Sequence, residues 1–265
     1  RETTLGPRVR ILSKFADDES NTRTETVLIM KVGGGSYGGI HGAHLAPGIS
    51  IRYAATDSKR QTIQRVEYRN TKTGFSGTYF ASGSTAASTK NLTTYVMQCA
   101  DCHNRVAHSF ETTDRAVDRA LAAREISVSL PFAKKASMTI LEEKYKADEA
   151  DQIPAAFEQL YRTHYPQALA GHEGEMKAAA AAVLAIYKRN VFPELKVTWG
   201  TYPSNLGHTA SPGCFRCHDN DHSTVDGKTV TQDCEACHQA LAVDEKAPKV
   251  LTELGIGPSP PGGTK

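Results

Sequence analysis

The chain has 265 residues, which is enough for one or two domains with a buried core. Its formal charge is +2 and 39% of its residues are hydrophobic, a balance that excludes a strongly basic nucleic-acid-binding surface. The longest apolar run, 178–187, is too short to span a bilayer.

The N-terminal part, 1–95, has the pattern of short strands separated by turns, and we predict strands at 27–32, 51–53 and 62–68. A glycine-rich stretch, 33–44, contains His41 and His44 and lacks the Gly-Lys-Ser/Thr ending of a phosphate-binding loop. Its glycines either bring the backbone close to a flat cofactor or form a flexible surface loop. Both readings stay open on the sequence.

The middle part, 96–190, is predicted to be helical after about residue 113. Thr113 is a candidate N-cap, and helices are expected at 134–147, 154–165 and 173–189. Pro154 suits the first position of its helix. His164 lies on an apolar helix face and is expected in the core, whereas His172 opens a charged stretch and is expected to be solvated.

Two further parts complete the chain. Residues 191–241 are rich in Gly, Asn and Pro and should form a compact region with little regular structure. The tail, 242–265, is rich in Pro and Gly and reads as an extended arm or a disordered end.

All six cysteines of the chain fall into three copies of the pattern C-x-x-C-H, which attaches haem c through two thioether bonds. The sequence therefore predicts three covalently bound haems c. The motifs are Cys99-Ala-Asp-Cys102-His103, Cys214-Phe-Arg-Cys217-His218 and Cys234-Glu-Ala-Cys237-His238.

Other uses of the cysteines are less favoured. Cys214, Cys217, Cys234 and Cys237 have the spacing of a zinc ribbon, but the remaining pair would then be left over. A disulfide across two residues closes a small, strained ring. Neither a zinc ribbon nor a disulfide explains why histidine follows the second cysteine in all three copies.

The axial ligands decide what such haems can do, because an iron with two histidine ligands has no open site for a substrate. By motif, His103, His218 and His238 are the proximal ligands. Met97 lies too close to its motif to reach the far face of the same haem and is expected to pack in the core. The candidate distal ligands are His41, His44, His108, His208 and His222.

Spacing restricts His222 and, less strictly, His108. Residues four apart on a helix point to the same side, so His222 cannot easily complete the haem of His218. We expect His222 to ligate a neighbouring iron. By the same argument, we expect His108 to ligate an iron other than that of the His103 haem. Crossed ligation of this kind would pack haems edge to edge.

These features together predict an α+β fold with little regular secondary structure around the haems. It would have a β-rich N-terminal part, a helical middle and a compact C-terminal part with two haems. Since haem is attached to this motif outside the bacterial cytoplasm, a periplasmic or extracellular location is expected. Membrane association through a missing N-terminal segment is compatible with this.

Nine strings around these motifs resemble the C-terminal part of multihaem cytochromes with a NapC/NirT-type N-terminal region, over about 15–241. The resemblance implies a membrane helix and further haem motifs upstream, so that some histidines would ligate haems of that segment. The strings are Gly38–His41, Ile51–Asp57, Arg60-Gln61, Cys99–Arg105, Ala116–Leu121, Trp199–Pro203, Gly207-His208, Pro212–Asp219 and Thr231–Cys234.

The favoured function is electron transfer rather than catalysis. The expected partners are other cytochromes or redox proteins, including a membrane quinol-oxidising complex or an upstream haem segment, and not nucleic acid. One alternative is a homo-oligomer or extracellular filament whose haems form a wire, in which a neighbouring subunit supplies a missing distal histidine. A haem reductase is another alternative and requires an open haem face.

Overall fold

The structure is a computed structural model and describes residues 5–34, 38–104, 110–146 and 149–256. Internal contacts divide the chain into two compact units. The first comprises 1–10, 28–107 and 203–239 and contains all three C-x-x-C-H motifs; the second comprises 11–27, 108–202 and 240–265. Each unit therefore joins segments that are distant in sequence, whereas the sequence alone suggested four consecutive regions.

The described residues form seven strands. These are β1 (Arg8–Phe15), β2 (Arg23–Met30), β3 (Ile49–Ala55), β4 (Ile63–Asn70), β5 (Phe75–Phe80), β6 (Thr94–Val96) and β7 (His238–Glu245).

They also form nine α-helices, several of them a single turn. These are α1 (Gly39–Leu45), α2 (Cys99–Cys102), α3 (Thr113–Ala122), α4 (Ala133–Leu141), α5 (Ile153–His164), α6 (Pro166–Leu169), α7 (Glu173–Asn190), α8 (Cys234–Cys237) and α9 (Lys249–Glu253).

The first unit is built around an antiparallel sheet in the order β5–β4–β3–β6. Alternate residues of a strand face the same side, so Ile51 and Tyr53 turn inward while Arg52 stays exposed. In register with Tyr53, Val66 and Tyr95 continue this buried face. Partly buried side chains packed on it include Met97 and Cys217, and so the sheet supports the second motif directly.

In the second unit, α3, α4, α5 and α7 pack around the larger apolar core. The buried residues of these helices lie on one face of each helix. In α7, for example, they recur every three or four positions. Its fully buried large side chains include Leu121, Phe157, Tyr161 and Ile186. A second sheet has three strands in the order β1–β2–β7. The buried side chains of Val27, Ala242 and Leu251 form a third, small apolar cluster.

Most of the predicted elements are confirmed within a few residues. The strands lie at β2, β3 and β4, and the last two helices at α5 and α7. The helix expected to end at residue 147 ends at Leu141, and the N-cap of α3 is Thr112 rather than Thr113. The prediction for His164 is wrong, since its side chain is exposed at the end of α5.

Several elements were not foreseen. The glycine-rich stretch contains the helix α1, and the tail contains α9 and the second half of β7. Positions 35–37 of that stretch and 257–265 of the tail lie outside the described residues. None of the described helices combines the length and apolarity needed to cross a membrane.

Candidate haem-binding site

Each cysteine pair lies on or beside a single helical turn. α2 and α8 carry the first and third pairs. In the second pair, Cys214 lies on a 3-10 turn, Gly213–Arg216, and Cys217 follows it directly. Residues three apart on a helix share a face, so both thiols of a motif point to the same side. The six cysteines form no disulfide. No group of three or more His, Cys, Asp or Glu side chains among the described residues converges as a metal cage, as a zinc ribbon would require.

Each motif histidine faces one histidine from elsewhere in the first unit. The ring centroids of His41 and His103 are 6.2 Å apart. Those of His44 and His218 are 5.7 Å apart. Those of His208 and His238 are 6.1 Å apart. The structure thus brings together three of the five candidate distal ligands with the three proximal candidates, one to one.

These spacings fit a single metal ion between two imidazoles. A metal–nitrogen distance near 2.0–2.1 Å, with each ring centre about 1.1 Å further, places the centroids of two opposed imidazoles about 6 Å apart. The ring planes of the three pairs are inclined to each other by 35°, 57° and 29°. The residues present therefore fit an iron held by two histidines.

Hydrogen bonds orient the His44–His218 pair for metal binding. The Nδ1 of His44 lies 2.7 Å from the carbonyl oxygen of Ile40, and the Nδ1 of His218 lies 2.7 Å from that of Thr231. Each Nδ1–H can donate to its carbonyl, which fixes the tautomer and leaves Nε2 as the ligand atom. The two rings, each held by a carbonyl at Nδ1 and 5.7 Å apart between centroids, could therefore both offer Nε2 to one metal ion.

The electrostatics of two distal candidates favour the neutral imidazole that a metal ligand requires. Burial lowers the pKa of His44, and the neighbouring His218 and His41 lower it further, against the hydrogen bond to the Ile40 carbonyl oxygen, which raises it. Burial and the neighbouring His238 likewise lower the pKa of His208. Two other histidines of these pairs differ from His44 and His218. The buried Nδ1 atoms of His41 and His238 have no hydrogen-bond partner among the described residues.

α1 places two distal candidates side by side. His41 and His44 are three residues apart on this helix and so share one face, each opposite a different motif. Its N-terminal turn is anchored by backbone bonds from Ile40 N to Lys31 O and from His41 N to Val32 O, each 2.9 Å. A Cβ at Gly39, whose φ is +68°, would lie 2.5 Å from Lys31 O. The glycines here let backbone approach backbone.

His222 has a different environment from the one expected. Its side chain is almost fully buried, its Nδ1 lies 2.9 Å from Asp219 Oδ2, and its Nε2 lies 3.2 Å from the carbonyl oxygen of Ile63. Both ring nitrogens are therefore engaged by protein oxygens, and among the described residues neither faces another histidine. His108, the fifth candidate, lies outside the described residues.

The second motif is the neighbour of both others. Burial raises the pKa of Cys102 and of Cys237, and in each case the Cys214 thiol is close enough to raise it further. Burial also raises the pKa of Cys217 to about 12. Because these interactions fall off with distance, the Cys214 thiol lies near both Cys102 and Cys237.

A buried polar network joins the first two motifs and was not singled out from the sequence. Asp101, inside the first motif, accepts hydrogen bonds from the Tyr53 hydroxyl and, at 2.8 Å, from Arg60 Nη1. Its carbonyl oxygen accepts from Asn205 Nδ2 at 2.8 Å and from Arg216 Nη2, inside the second motif, at 3.0 Å. Four of these five residues lie in sequence strings that carry the family resemblance, and Asn205 lies between two such strings. That resemblance is the sequence signal that could have indicated them.

Comparison with known proteins indicates the same class of protein. The chain resembles a known c-type cytochrome. It is 34% identical over 239 residues to the cytochrome c-type protein ImcH of Geobacter sulfurreducens, a match that covers 88% of this chain and 47% of ImcH. The chain thus spans about half the length of this relative. No family model and no solved structure matches the chain.

Proposed function

We propose that the chain is an electron-transfer c-type cytochrome with three covalently bound haems c outside the cytoplasm. The observation that carries the proposal is the one-to-one pairing of each motif histidine with a histidine from outside the motifs. The similarity to ImcH supports a c-type cytochrome and covalently bound haem independently of this pairing.

Three haem sites follow from the pairs and are named here by their order in the sequence. The first site comprises Cys99, Cys102, His103 and the distal His41. The second site comprises Cys214, Cys217, His218 and the distal His44. The third site comprises Cys234, Cys237, His238 and the distal His208.

The bound porphyrin iron supplies a one-electron couple. Each pair of histidines would supply two ligands to its iron, which would leave no open position for a substrate. The carbonyl groups of Ile40 and Thr231 hold the second pair in one tautomer, and burial lowers the pKa of His44, which favours its neutral ring. A ligand set that stays the same in both oxidation states suits electron transfer better than catalysis, which favours a relay over a haem reductase.

The distal assignment revises one sequence expectation. With His41, His44 and His208 in the three pairs, we assign His222 a structural role, because Asp219 and the Ile63 carbonyl engage both its nitrogens. His108 remains an expected ligand for an iron outside these sites. No distal ligand is left for a neighbouring subunit to supply, so the pairing gives the filament hypothesis no support.

The finer parts of the proposal rest on the sequence. We propose a periplasmic or extracellular location, and exchange of electrons with other redox proteins or with a membrane quinol-oxidising complex. The NapC/NirT-type resemblance motivates the last partner. Because the chain spans about half of ImcH, the activity of a longer protein is a separate question.

Intact-protein mass spectrometry and a thiol assay test this proposal. Protein produced in a host that matures c-type cytochromes should carry three haems and, when denatured, expose no reactive thiol. A matched variant with Cys99→Ser and Cys102→Ser should carry two haems. Fewer than three haems in the unmodified chain, or tightly bound zinc in their place, would overturn the proposal.

A further inference from the structure

The third haem site depends on a segment that is closed by two glycines. The Cys214 backbone N–H donates to the Gly207 carbonyl oxygen at 3.0 Å, which folds 207–214 into a tight loop. Gly213 has a φ of +50°, and a Cβ there would lie 1.8 Å from that same oxygen. Only glycine permits this approach, and it brings His208 against the second motif.

Phe215, inside the second motif, contacts His208 directly. The two ring centroids are 4.1 Å apart with an angle of 11° between the planes, which is a parallel stack. The same His208 ring lies 6.1 Å from His238. His208 is exposed on a segment without regular secondary structure, so this stack is a main constraint on the orientation of its ring.

Phe215 has no comparable role in the apolar core. It is half-buried and does not belong to the cluster beneath the sheet, although Cys217 of the same motif packs against that cluster. The flat face of its ring stacks on His208 instead. Aromatic stacking contributes a factor of about 2–12 to an equilibrium constant, which is enough to change how often a weakly held ligand dissociates.

We propose that Phe215 is a positioning residue that holds His208 on the iron of the third haem site. The inference rests on the proposed function, because it takes His208 as the distal ligand of that site. Since Phe215 belongs to the second motif, the same contact keeps the second and third sites adjacent. A residue at an x position of one C-x-x-C-H motif would thus serve the neighbouring haem.

Carbon monoxide binding to the reduced protein measures the role of Phe215. The affinity for an exogenous ligand scales with the fraction of time that an axial position is open. Phe215→Leu keeps apolar bulk but removes the flat face, so one haem should bind carbon monoxide about 2–12-fold more tightly. Phe215→Tyr keeps the face and should restore the original affinity.

Two controls separate the possible failures. Phe75→Leu, at an exposed phenylalanine of β5, should leave all three haems unchanged. His208→Ala should open one haem completely, and its carbon monoxide difference spectrum identifies the third site. Mass spectrometry must show three haems in every variant, which establishes that the protein has folded and matured.

Each outcome has one meaning. If His208→Ala opens no haem, the ligand assignment in the proposed function fails. If His208→Ala opens a haem but Phe215→Leu leaves its carbon monoxide affinity unchanged, the ligand assignment stands and the role of Phe215 is refuted. If Phe215→Leu opens that haem but Phe215→Tyr does not restore it, stacking is not the cause and the inference also fails.

Discussion

His208 and His222 lie close to the same motif in the sequence, yet they have opposite environments. His208 is exposed and faces another histidine, whereas His222 is buried against Asp219 and the Ile63 carbonyl. Sequence spacing argued against His222 as a partner of His218, but it could not show that a distant strand engages its second nitrogen. A buried histidine with two protein partners is a structural residue rather than a free ligand.

His222→Ala tests that structural role. We expect all three haems to remain low-spin, because none loses a ligand, while the free energy of unfolding falls by about 1–3 kcal/mol as the partly exposed Asp219 carboxylate and the Ile63 carbonyl lose the buried His222 ring. Electron paramagnetic resonance of the ferric protein and denaturant unfolding measure the two effects. His164→Ala, at an exposed histidine, is the matched control. Appearance of a high-spin haem in His222→Ala would restore the crossed ligation expected from the sequence.

Tyr53 should make stability depend on alkaline pH. Burial, and then the hydrogen bond to Asp101, raise the pKa of Tyr53 to about 12, whereas an unfolded tyrosine has a pKa of about 10. The folded state therefore retains a proton that the unfolded state loses between these values. Its contribution is complete below pH 10 and declines at up to about 1.4 kcal/mol per pH unit as the pH rises to 12.

Comparison of the unmodified chain with Tyr53→Phe isolates this effect. At pH 7 the variant should be less stable by about 1–3 kcal/mol, because Asp101 loses a buried donor. The difference should shrink between pH 10 and 12, since only the tyrosine can ionise. Unfolding curves at fixed pH values measure it. A stability difference that stays constant across this range would show that the phenol titrates equally in both states.

At the scale of secondary-structure elements, α1 is the least predictable and the most consequential. Its sequence is rich in glycine and contains no strong helix signal, so the sequence favoured a loop. The helix forms because backbone bonds to Lys31 and Val32 hold its first turn against the chain that leaves β2. Such bonds depend on tertiary structure and leave no local pattern. By contrast, α7 has regular apolar spacing and was predicted within a residue.

Two alanine substitutions in α1 should have opposite effects. Gly39→Ala places a Cβ 2.5 Å from Lys31 O at a positive φ, so the helix must shift and the first and second haems should both gain high-spin character. Gly42→Ala has open space within the helix and should stabilise it by about 0.5–1 kcal/mol with all haems unchanged. Haem-resolved electron paramagnetic resonance separates them. A change confined to one haem in Gly39→Ala would contradict the placement of both distal ligands on α1.

At the scale of the whole molecule, the sequence indicates how many haems to expect but not how they are paired. Six cysteines in three motifs predict three haems from local pattern alone. The partners of His103 and His218 lie far upstream on α1, and only the fold brings them together. The same holds for the two units, each of which joins three separate segments of the chain. Contacts between distant segments are the part of a structure that a single sequence specifies least directly.

The order of the haems is the last consequence of the fold. The Cys214 thiol is close enough to both Cys102 and Cys237 to raise the pKa of each. α1 carries the distal ligands of the first and second sites. Phe215 of the second motif contacts His208 of the third site. The second haem should therefore be the middle of a linear relay. Charges about 15 Å apart at an effective dielectric constant of about 20 interact by about 1 kcal/mol, so a change at one haem shifts the potential of its neighbours.

Carbon monoxide at a chosen haem tests this order. In His44→Ala it binds the second haem and holds that iron ferrous, which removes a positive charge beside both other haems and should lower both their midpoint potentials. In His208→Ala it binds the third haem and should lower the potential of the second much more than that of the first. Spectroscopic redox titrations with and without carbon monoxide measure these shifts. Equal shifts of the first and second haems in His208→Ala would place the third haem beside both and exclude a linear order, because electrostatic coupling weakens with distance.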